Sequence, residues 1–293
     1  MHFDVGVAAA GLVVGFVVGL TGMGGGALMT PILVLIFNVQ PLAAVSSDLV
    51  ASVIMKPVGA GVHLRRGTVH NELVRWLVVG SVPSAFLGVI ILKHLGHGTA
   101  VQDNLKLALG AALLLASGSI VAKTLLQARR APVAHADGPL VVKRARTMLI
   151  GVLGGLIVGM TSVGSGSLMI VMLLMLYPAL TASELVGTDL VQAIPLVASA
   201  ALGHLLFGDF KLGLTASLLV GCLPGVYVGA RVSARAPDRI IRPALVFVLL
   251  ASALKLLNMG TTALGITLAV AAVVGMPLLY RLSSPRRDTA ARV

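Results

Sequence analysis

Two glycine-rich segments of similar sequence are the parts of this chain best suited to hold a ligand. The first, TGMGGGALM, covers residues 21–29, and the second, TSVGSGSLM, covers residues 161–169. Each lies between two apolar runs and therefore predicts a break between two helical pieces. A helix that begins at such a break presents unpaired N–H groups and a partial positive charge, both of which favour an anion. The predicted anion-binding residues are Thr21, Gly22, Gly24, Gly25, Gly26, Thr161, Ser162, Gly164, Ser165, Gly166 and Ser167.

Tight helix packing is the alternative interpretation of these glycines, because small residues are common where membrane helices touch. Gly11, Gly15 and Gly19 suit that interpretation better, since they are evenly spaced within the apolar run that precedes the first break. The second break also carries hydroxyls that the first break lacks, and these would donate further hydrogen bonds to an oxyanion. The two breaks therefore need not contribute equally to a site.

Three charged residues fall inside apolar segments, where an ionisable side chain is costly unless it is paired, hydrated or neutralised. Lys56 would attract an anion into the site, the alternative being that its ammonium snorkels to the membrane surface. Asp48 and Asp189 each follow a break at a similar distance. They either couple transport to a proton or cation, or cap the nearby break by accepting hydrogen bonds from its amides.

Two histidines, His63 and His204, are further coupling candidates, because a histidine can relay protons near neutral pH. Packing at a helix interface is the alternative role. Neither histidine has a second metal ligand at a suitable spacing, and the single cysteine, Cys222, allows no thiolate cluster. We predict neither a metal site nor a cofactor.

The composition is that of a membrane protein. Of the 293 residues, 57% are hydrophobic and only 11% are charged, whereas a soluble domain carries roughly a quarter charged residues. The net charge of +12 comes from short connections between apolar segments rather than from one solvated face, so it predicts membrane topology and no nucleic-acid partner. No phosphate-binding G-x-x-x-x-G-K-[ST] motif is present, which excludes this kind of ATP site.

An internal duplication organises the chain. Residues 11–30 and 151–170 align with nine identities in twenty positions, and after a one-residue insertion Asp48 aligns with Asp189 and His63 with His204. The position equivalent to Lys56 is Val197. Repeats of this kind set the architecture and are read before individual segments.

Each repeat is predicted to contain one broken hairpin followed by three membrane spans. In the first repeat, residues 1–126, the hairpin covers 5–37 and the spans cover 42–64, 72–93 and 103–126. In the second repeat, residues 147–257, the hairpin covers 147–177 and the spans cover 182–206, 212–231 and 239–257. A linker occupies 127–146, and a last span covers 262–280.

Loop charge selects the hairpin over a single broken crossing. With hairpins, all the basic connections, including the linker, share one face, which the positive-inside tendency makes cytoplasmic. The N-terminus is then outside and the C-terminus cytoplasmic, in the plasma membrane of a bacterium. The fold class predicted is an all-α polytopic membrane protein of two inverted repeats plus one extra C-terminal helix, a plan typical of secondary transporters.

The sequence resembles the TauE/SafE sulfite exporter family, also called the 4-toluene sulfonate uptake permease family. The resemblance depends on the duplicated glycine-rich segment with its following Asp, and on the run from Gly203 to Leu257, which begins GHLLFGDFKLGL. It implies secondary transport of small anions such as sulfite, sulfoacetate, thiosulfate, organosulfonates or related carboxylates, driven by an ion gradient. The partners expected are this anion and the lipid bilayer, with a homo-oligomer as an open alternative.

Three other functions are alternatives to secondary anion transport. A passive anion channel would use the same site. An intramembrane hydrolase would need Ser165 and His204 as a dyad, but the flanking sequence lacks the G-x-S-G pattern, so we predict no enzyme. A divalent-cation transporter would use Asp48 and Asp189, against the basic bias of the chain.

Overall fold

The computed structural model describes residues 4–21, 25–94, 99–129, 140–232 and 238–282. This part of the chain is helical and holds no β-strand, which confirms the all-α class. Half of the predicted linker 127–146, residues 130–139, lies outside the described residues. The helices of the first repeat are α1 Val5–Thr21, α2 Gly26–Leu35, α3 Pro41–Arg65, α4 Asn71–His94 and α5 Thr99–Arg129. Those that follow are α6 Arg144–Thr161, α7 Leu168–Leu176, α8 Ala182–Phe207, α9 Leu212–Val232, α10 Asp238–Leu256, α11 Thr261–Val270 and α12 Met276–Leu282, with a π-helical turn, Ala271–Gly275, between the last two.

Seven helices in the described part are long and apolar enough to cross a membrane, which confirms a polytopic membrane protein. They lie in α3, α4, α5, α6, α8, α9 and the continuous stretch from α11 to α12. The set includes α6, which the sequence predicted as one arm of a hairpin. It leaves out α10, because charged residues stand near both ends of that helix. The span at 239–257 stays a prediction.

The second break has a clear local cause. Helix α6 ends at Thr161 because Ser162 adopts a left-handed conformation with φ of 59°, while its N–H still donates to the Val158 carbonyl at 2.7 Å. Gly164 and Gly166 follow with φ of 121° and 92°, values that side chains rarely allow. The chain therefore becomes helical again only at Leu168, where α7 begins.

The two repeats are interlocked rather than side by side. Helix α1 of the first repeat packs against α9 of the second, and its equivalent, α6, packs against α4. Helices α3 and α8, which are also equivalent, pack against each other. Every one of these pairings has its counterpart under exchange of the repeats, as a pseudo-twofold relation requires.

Glycines bring the paired helices together at backbone distance. A Cβ on Gly11 would lie 2.9 Å from the Leu218 carbonyl, and one on Gly225 would lie 2.8 Å from the Phe16 amide. Along the other pair, a Cβ on Gly151 would lie 3.1 Å from the Ser81 amide. These glycines thus have the packing role typical of small residues between membrane helices. Cβ atoms at further glycines of the two interfaces would also meet the backbone of the partner helix: Gly15, Gly80, Gly88, Gly155, Gly159, Gly221 and Gly229.

The two ends of each broken segment lie together. At the first, a Cβ on Gly6 at the start of α1 would lie 3.2 Å from the ring of Phe37, just beyond α2. At the second, the Lys143 amide just before α6 donates to the Tyr177 hydroxyl just after α7 at 2.8 Å. Both segments therefore return to the end of the molecule from which they start.

The two broken segments open at opposite ends. Ser46 near the start of α3 bonds to His204 near the end of α8 at 2.9 Å, so these central helices are antiparallel. The first segment joins the start of α3, and the second joins the start of α8. This geometry is what inverted repeats require, while the orientation of each repeat in a membrane stays a prediction.

Candidate functional site

The two breaks touch each other in the interior. A Cβ on Gly26, at the first turn of α2, would overlap the carbonyl oxygen of Ser162 and lie 2.7 Å from its hydroxyl. The Ser162 hydroxyl in turn donates to the Asp48 carboxylate at 2.6 Å. Residues far apart in the sequence thus form one buried polar cluster, which we call the central cluster.

Asp48 lies in the second turn of α3 and is almost fully buried, with 1% of its surface exposed. Its carboxylate accepts hydrogen bonds from Ser162 at 2.6 Å and from Thr30 of α2 at 3.3 Å. Both of these donors are hydroxyl groups, and Ser162 belongs to the opposite repeat. The side chain of Asp48 therefore holds the first break and the second break together.

Asp189, the equivalent residue of α8, is equally buried but has different partners. The side-chain amide of Gln192 donates to its carboxylate at 3.0 Å. The backbone N–H of Gly166, in the second break, is a further donor. Gln192 is held in place by Ser81 of α4, whose hydroxyl donates to the amide oxygen at 3.3 Å. Among the described residues, Asp189 is thus bound by N–H groups, whereas Asp48 is bound by O–H groups.

Lys56 is buried between the repeats. Only 7% of its surface is exposed, and its ammonium donates to the Ser165 hydroxyl of the second break at 2.8 Å. It lies within electrostatic range of both Asp48 and Asp189. The alternative of snorkelling to the surface is wrong, because the ammonium points into the central cluster and is bonded there.

The hydroxyls of the second break differ in their hydrogen bonding. Thr161 donates to the Ile157 carbonyl of its own helix at 2.6 Å, so it caps α6 locally. Ser167 stands directly before α7 and is buried, yet its hydroxyl has no hydrogen-bond partner among the described residues. An unpaired buried hydroxyl is costly, and one beside a helix N-terminus is available to a ligand.

The histidines lie apart from Lys56 and have unequal surroundings. His204 is fully buried, with one ring nitrogen 2.9 Å from the Ser46 hydroxyl and the other 2.9 Å from the Gly159 carbonyl. It therefore joins α8 to α3 and α6. His63 bonds to the Thr68 hydroxyl at 3.0 Å, close to its own helix end. The structure gives both histidines packing contacts.

Part of the predicted site is not described. Gly22 and Gly24 lie outside the described residues, as does the side chain of Thr21, although the backbone of Thr21 ends α1. Gly25 faces the cluster, since a Cβ there would lie 3.7 Å from Asp48. Within the described ranges, no group of three or more His, Cys, Asp or Glu side chains could hold a metal ion.

Two members of the cluster were missed by the sequence prediction. Thr30 binds Asp48, and Gln192 binds Asp189. Gln192 had a usable signal, because a polar amide inside an apolar span, three residues after a buried Asp, lies on the same helix face as that Asp. Thr30 had no such signal, since its contact depends on how α2 folds back on α3.

Known proteins of similar sequence are membrane transporters. The sequence profile of the family described as "Sulfite exporter TauE/SafE" matches residues 7–256. The chain is 40% identical to "Probable membrane transporter protein YjnA" of Bacillus subtilis (strain 168) over 256 residues, which cover 87% of this chain and 100% of the relative. It is 24% identical to "Probable membrane transporter protein YdhB" of the same organism over 233 residues, 79% of this chain and 91% of the relative. No solved structure gives a significant match.

These matches agree with the helical membrane architecture. The family is one of membrane transporters and not of enzymes, as predicted. The resemblance seen in the glycine-rich segments extends over nearly the whole length of the chain. The chain belongs to the sulfite exporter TauE/SafE family of membrane transporters.

Proposed function

We propose that this transporter moves a small oxyanion, either a sulfur oxyanion such as sulfite, thiosulfate or an organosulfonate, or a related carboxylate. The anion would bind in the central cluster beside Lys56 and the second break. The observation that carries the proposal is the buried Lys56 ammonium, bonded to Ser165 at 2.8 Å at the junction of the two repeats. A buried cation inside a membrane span marks a functional site by default.

The surroundings of Lys56 suit a compact oxyanion. Ser165 already accepts from the ammonium and keeps its own proton to donate, and Ser167 adds a second hydroxyl that has no described partner. Hydrogen bonds to a charged oxygen are roughly twice as strong as neutral ones, so a few donors are enough to hold an anion out of water. Gly164 and Gly166, with positive φ, leave room for close approach.

A cation fits this cluster less well. The Lys56 ammonium already interacts with the carboxylates of both Asp48 and Asp189, as a bound cation would. A divalent ion would have to displace that ammonium or bind beside it against charge repulsion. The arrangement therefore supports anion transport over cation transport.

Coupling to an ion gradient is part of the same proposal, together with the predicted topology. In this proposal the N-terminus is outside and the C-terminus is cytoplasmic, in the plasma membrane of a bacterium, as the basic connections of the chain favour. The chain carries no phosphate-binding ATP motif, so an energy source for accumulation would be an ion gradient. The contact between the two breaks supports this proposal, because secondary transporters with inverted repeats hold their solute at the interface of the repeats.

Transport by purified protein in liposomes tests the proposal. We expect uptake of at least one of radiolabelled sulfite, thiosulfate and sulfoacetate by the wild-type protein, and its loss in Lys56→Met, which keeps the length of the side chain. Lys106→Met is the matched control, because Lys106 is exposed on α5 and pairs with Asp103 at 3.1 Å.

Two results would contradict the proposal. Uptake in Lys56→Met equal to that of the Lys106→Met control would remove Lys56 from the site. Uptake that never exceeds the external concentration under any imposed proton or sodium gradient would favour a passive anion channel, because a channel cannot concentrate its ligand.

A further inference from the structure

We propose that the two equivalent carboxylates have different roles: Asp48 carries the proton that accompanies the anion, while Asp189 stays ionised as the fixed counter-ion of Lys56. This assignment rests on the proposed function. Sequence equivalence alone gives the two residues the same role. Their hydrogen-bond partners separate them.

The partners of Asp48 can serve either protonation state. A hydroxyl donates to a carboxylate and, after rotation, accepts from a carboxylic acid. Ser162 and Thr30, at 2.6 Å and 3.3 Å, are both hydroxyl donors to Asp48. The short contact to Ser162 therefore survives protonation with its direction reversed.

The described partners of Asp189 suit only the ionised state. The Gln192 amide at 3.0 Å and the backbone N–H of Gly166 can donate but cannot accept. Neither could receive a hydrogen bond from a protonated Asp189. The orientation of Gln192 is fixed by Ser81, which donates to its amide oxygen, so the amide cannot simply turn round.

The charged groups near Asp48 explain why a proton should enter together with the anion. Lys56 lies on the same helix and interacts with Asp48 and with Asp189 of α8, and Cys222 of α9 lies within electrostatic range of Asp48. Lys123 of α5 lies near Asp189. From α2 and α6 the facing groups are the uncharged Thr30 and Ser162, and His204 lies nearer the end of α8, bonded to Ser46.

With both carboxylates ionised, the two lysines balance them. An anion that enters this dry cluster adds uncompensated negative charge, and a proton that enters with it reduces that charge by one. Burying an unpaired charge is costly, so the anion and the proton favour each other's binding.

Protonation of Asp48 also changes what Ser162 can do. Once the protonated Asp48 donates to the Ser162 hydroxyl, this hydroxyl no longer donates to Asp48. Its O–H group can then rotate and donate to an anion held at Ser165 and Lys56. Ser162 belongs to the second break and Asp48 to α3 of the first repeat, so one proton alters the contact between the repeats. Protonation of Asp48 thus provides a donor for the anion and also changes the hydrogen bond between the two repeats.

Infrared difference spectroscopy tests the assignment without any substrate. Purified full-length protein, titrated between about pH 8 and about pH 5, should show the carbonyl stretch of a buried carboxylic acid that grows as the pH falls. We expect Asp48→Asn to remove this band and Asp189→Asn to retain it. A band that persists in Asp48→Asn and disappears in Asp189→Asn, or no band at all, would overturn the assignment.

Transport assays give a second, independent readout. Asp48→Asn should make the uptake of radiolabelled thiosulfate insensitive to an imposed pH gradient, because no proton then accompanies the anion. Asp189→Asn should slow uptake but leave its dependence on the pH gradient in place. Thiosulfate is the preferred probe, because sulfite itself takes up a proton near neutral pH.

The two assays separate the two proposals. Failure of wild-type protein to exchange thiosulfate, sulfite or sulfoacetate would refute the proposed function, while the infrared result would still decide which carboxylate takes up a proton. Exchange by the wild type with equal pH dependence in both Asn variants would refute the division of roles alone.

Discussion

Gly26→Ala is expected to separate the two breaks and to reduce transport strongly. The new methyl group would overlap the Ser162 carbonyl and lie 2.7 Å from its hydroxyl, so the breaks must move apart by about 1.5 Å to reach ordinary contact. The Ser162–Asp48 bond would then lengthen from 2.6 Å to beyond the limit of a hydrogen bond. A bond to a charged group contributes about 1.5–3 kcal/mol, which corresponds to a loss of about 10- to 150-fold in the population of the intact junction.

Two other glycines provide controls for this experiment. Cβ atoms at Gly61 and Gly118 would meet nothing within 4 Å, so Gly61→Ala and Gly118→Ala should transport like the wild type. The assay is initial anion uptake in proteoliposomes, normalised to protein that elutes as a folded species in gel filtration. Gly26→Ala also raises helix propensity in α2, so a defect would not reflect a weaker helix. Uptake by folded Gly26→Ala at the control rate would refute the contact between the breaks as part of the transport site.

Two stability predictions compare residues that differ mainly in burial. His204→Ala should lower the midpoint of thermal unfolding markedly, because it removes both hydrogen bonds of a fully buried ring and leaves the Gly159 carbonyl without its side-chain donor, at about 1–3 kcal/mol, although the Ser46 hydroxyl keeps its bond to the Leu42 carbonyl. His63→Ala should change the midpoint little, and equal shifts would argue against the bridging role of His204. Gly221→Val should abolish the folded protein, because even a methyl group there would overlap the Ala8 carbonyl of α1. Gly265→Val should be tolerated, because the space around Gly265 is open. Purification of both folded variants at wild-type yield would contradict the packing of α1 on α9.

The sequence predicted the parts of this fold that have a one-dimensional signal. Apolar length predicted membrane helices, and the duplicated glycine segment located the break in which α6 ends at Thr161 and α7 begins at Leu168. It also identified Lys56, because a cation inside an apolar run is conspicuous wherever it points. These features depend on composition along the chain and not on which helices become neighbours.

Contacts between distant segments were beyond sequence reasoning. An internal alignment makes Asp48 and Asp189 equivalent, but it cannot indicate that Asp48 binds Ser162 of the other repeat while Asp189 binds Gln192 of its own helix. The same limit applies to Gly11, whose packing role depends on the position of α9.

The crossed pairing of helices has a consequence for how the protein is made. Helix α1 emerges from the ribosome before α9, yet the surface that covers its glycines belongs to α9. Helix α4 is likewise synthesised before its partner α6. Each of these helices must therefore remain in the lipid without its final neighbour until the partner helix has been synthesised, so a chain truncated before α9 leaves the glycines of α1 without their partner surface.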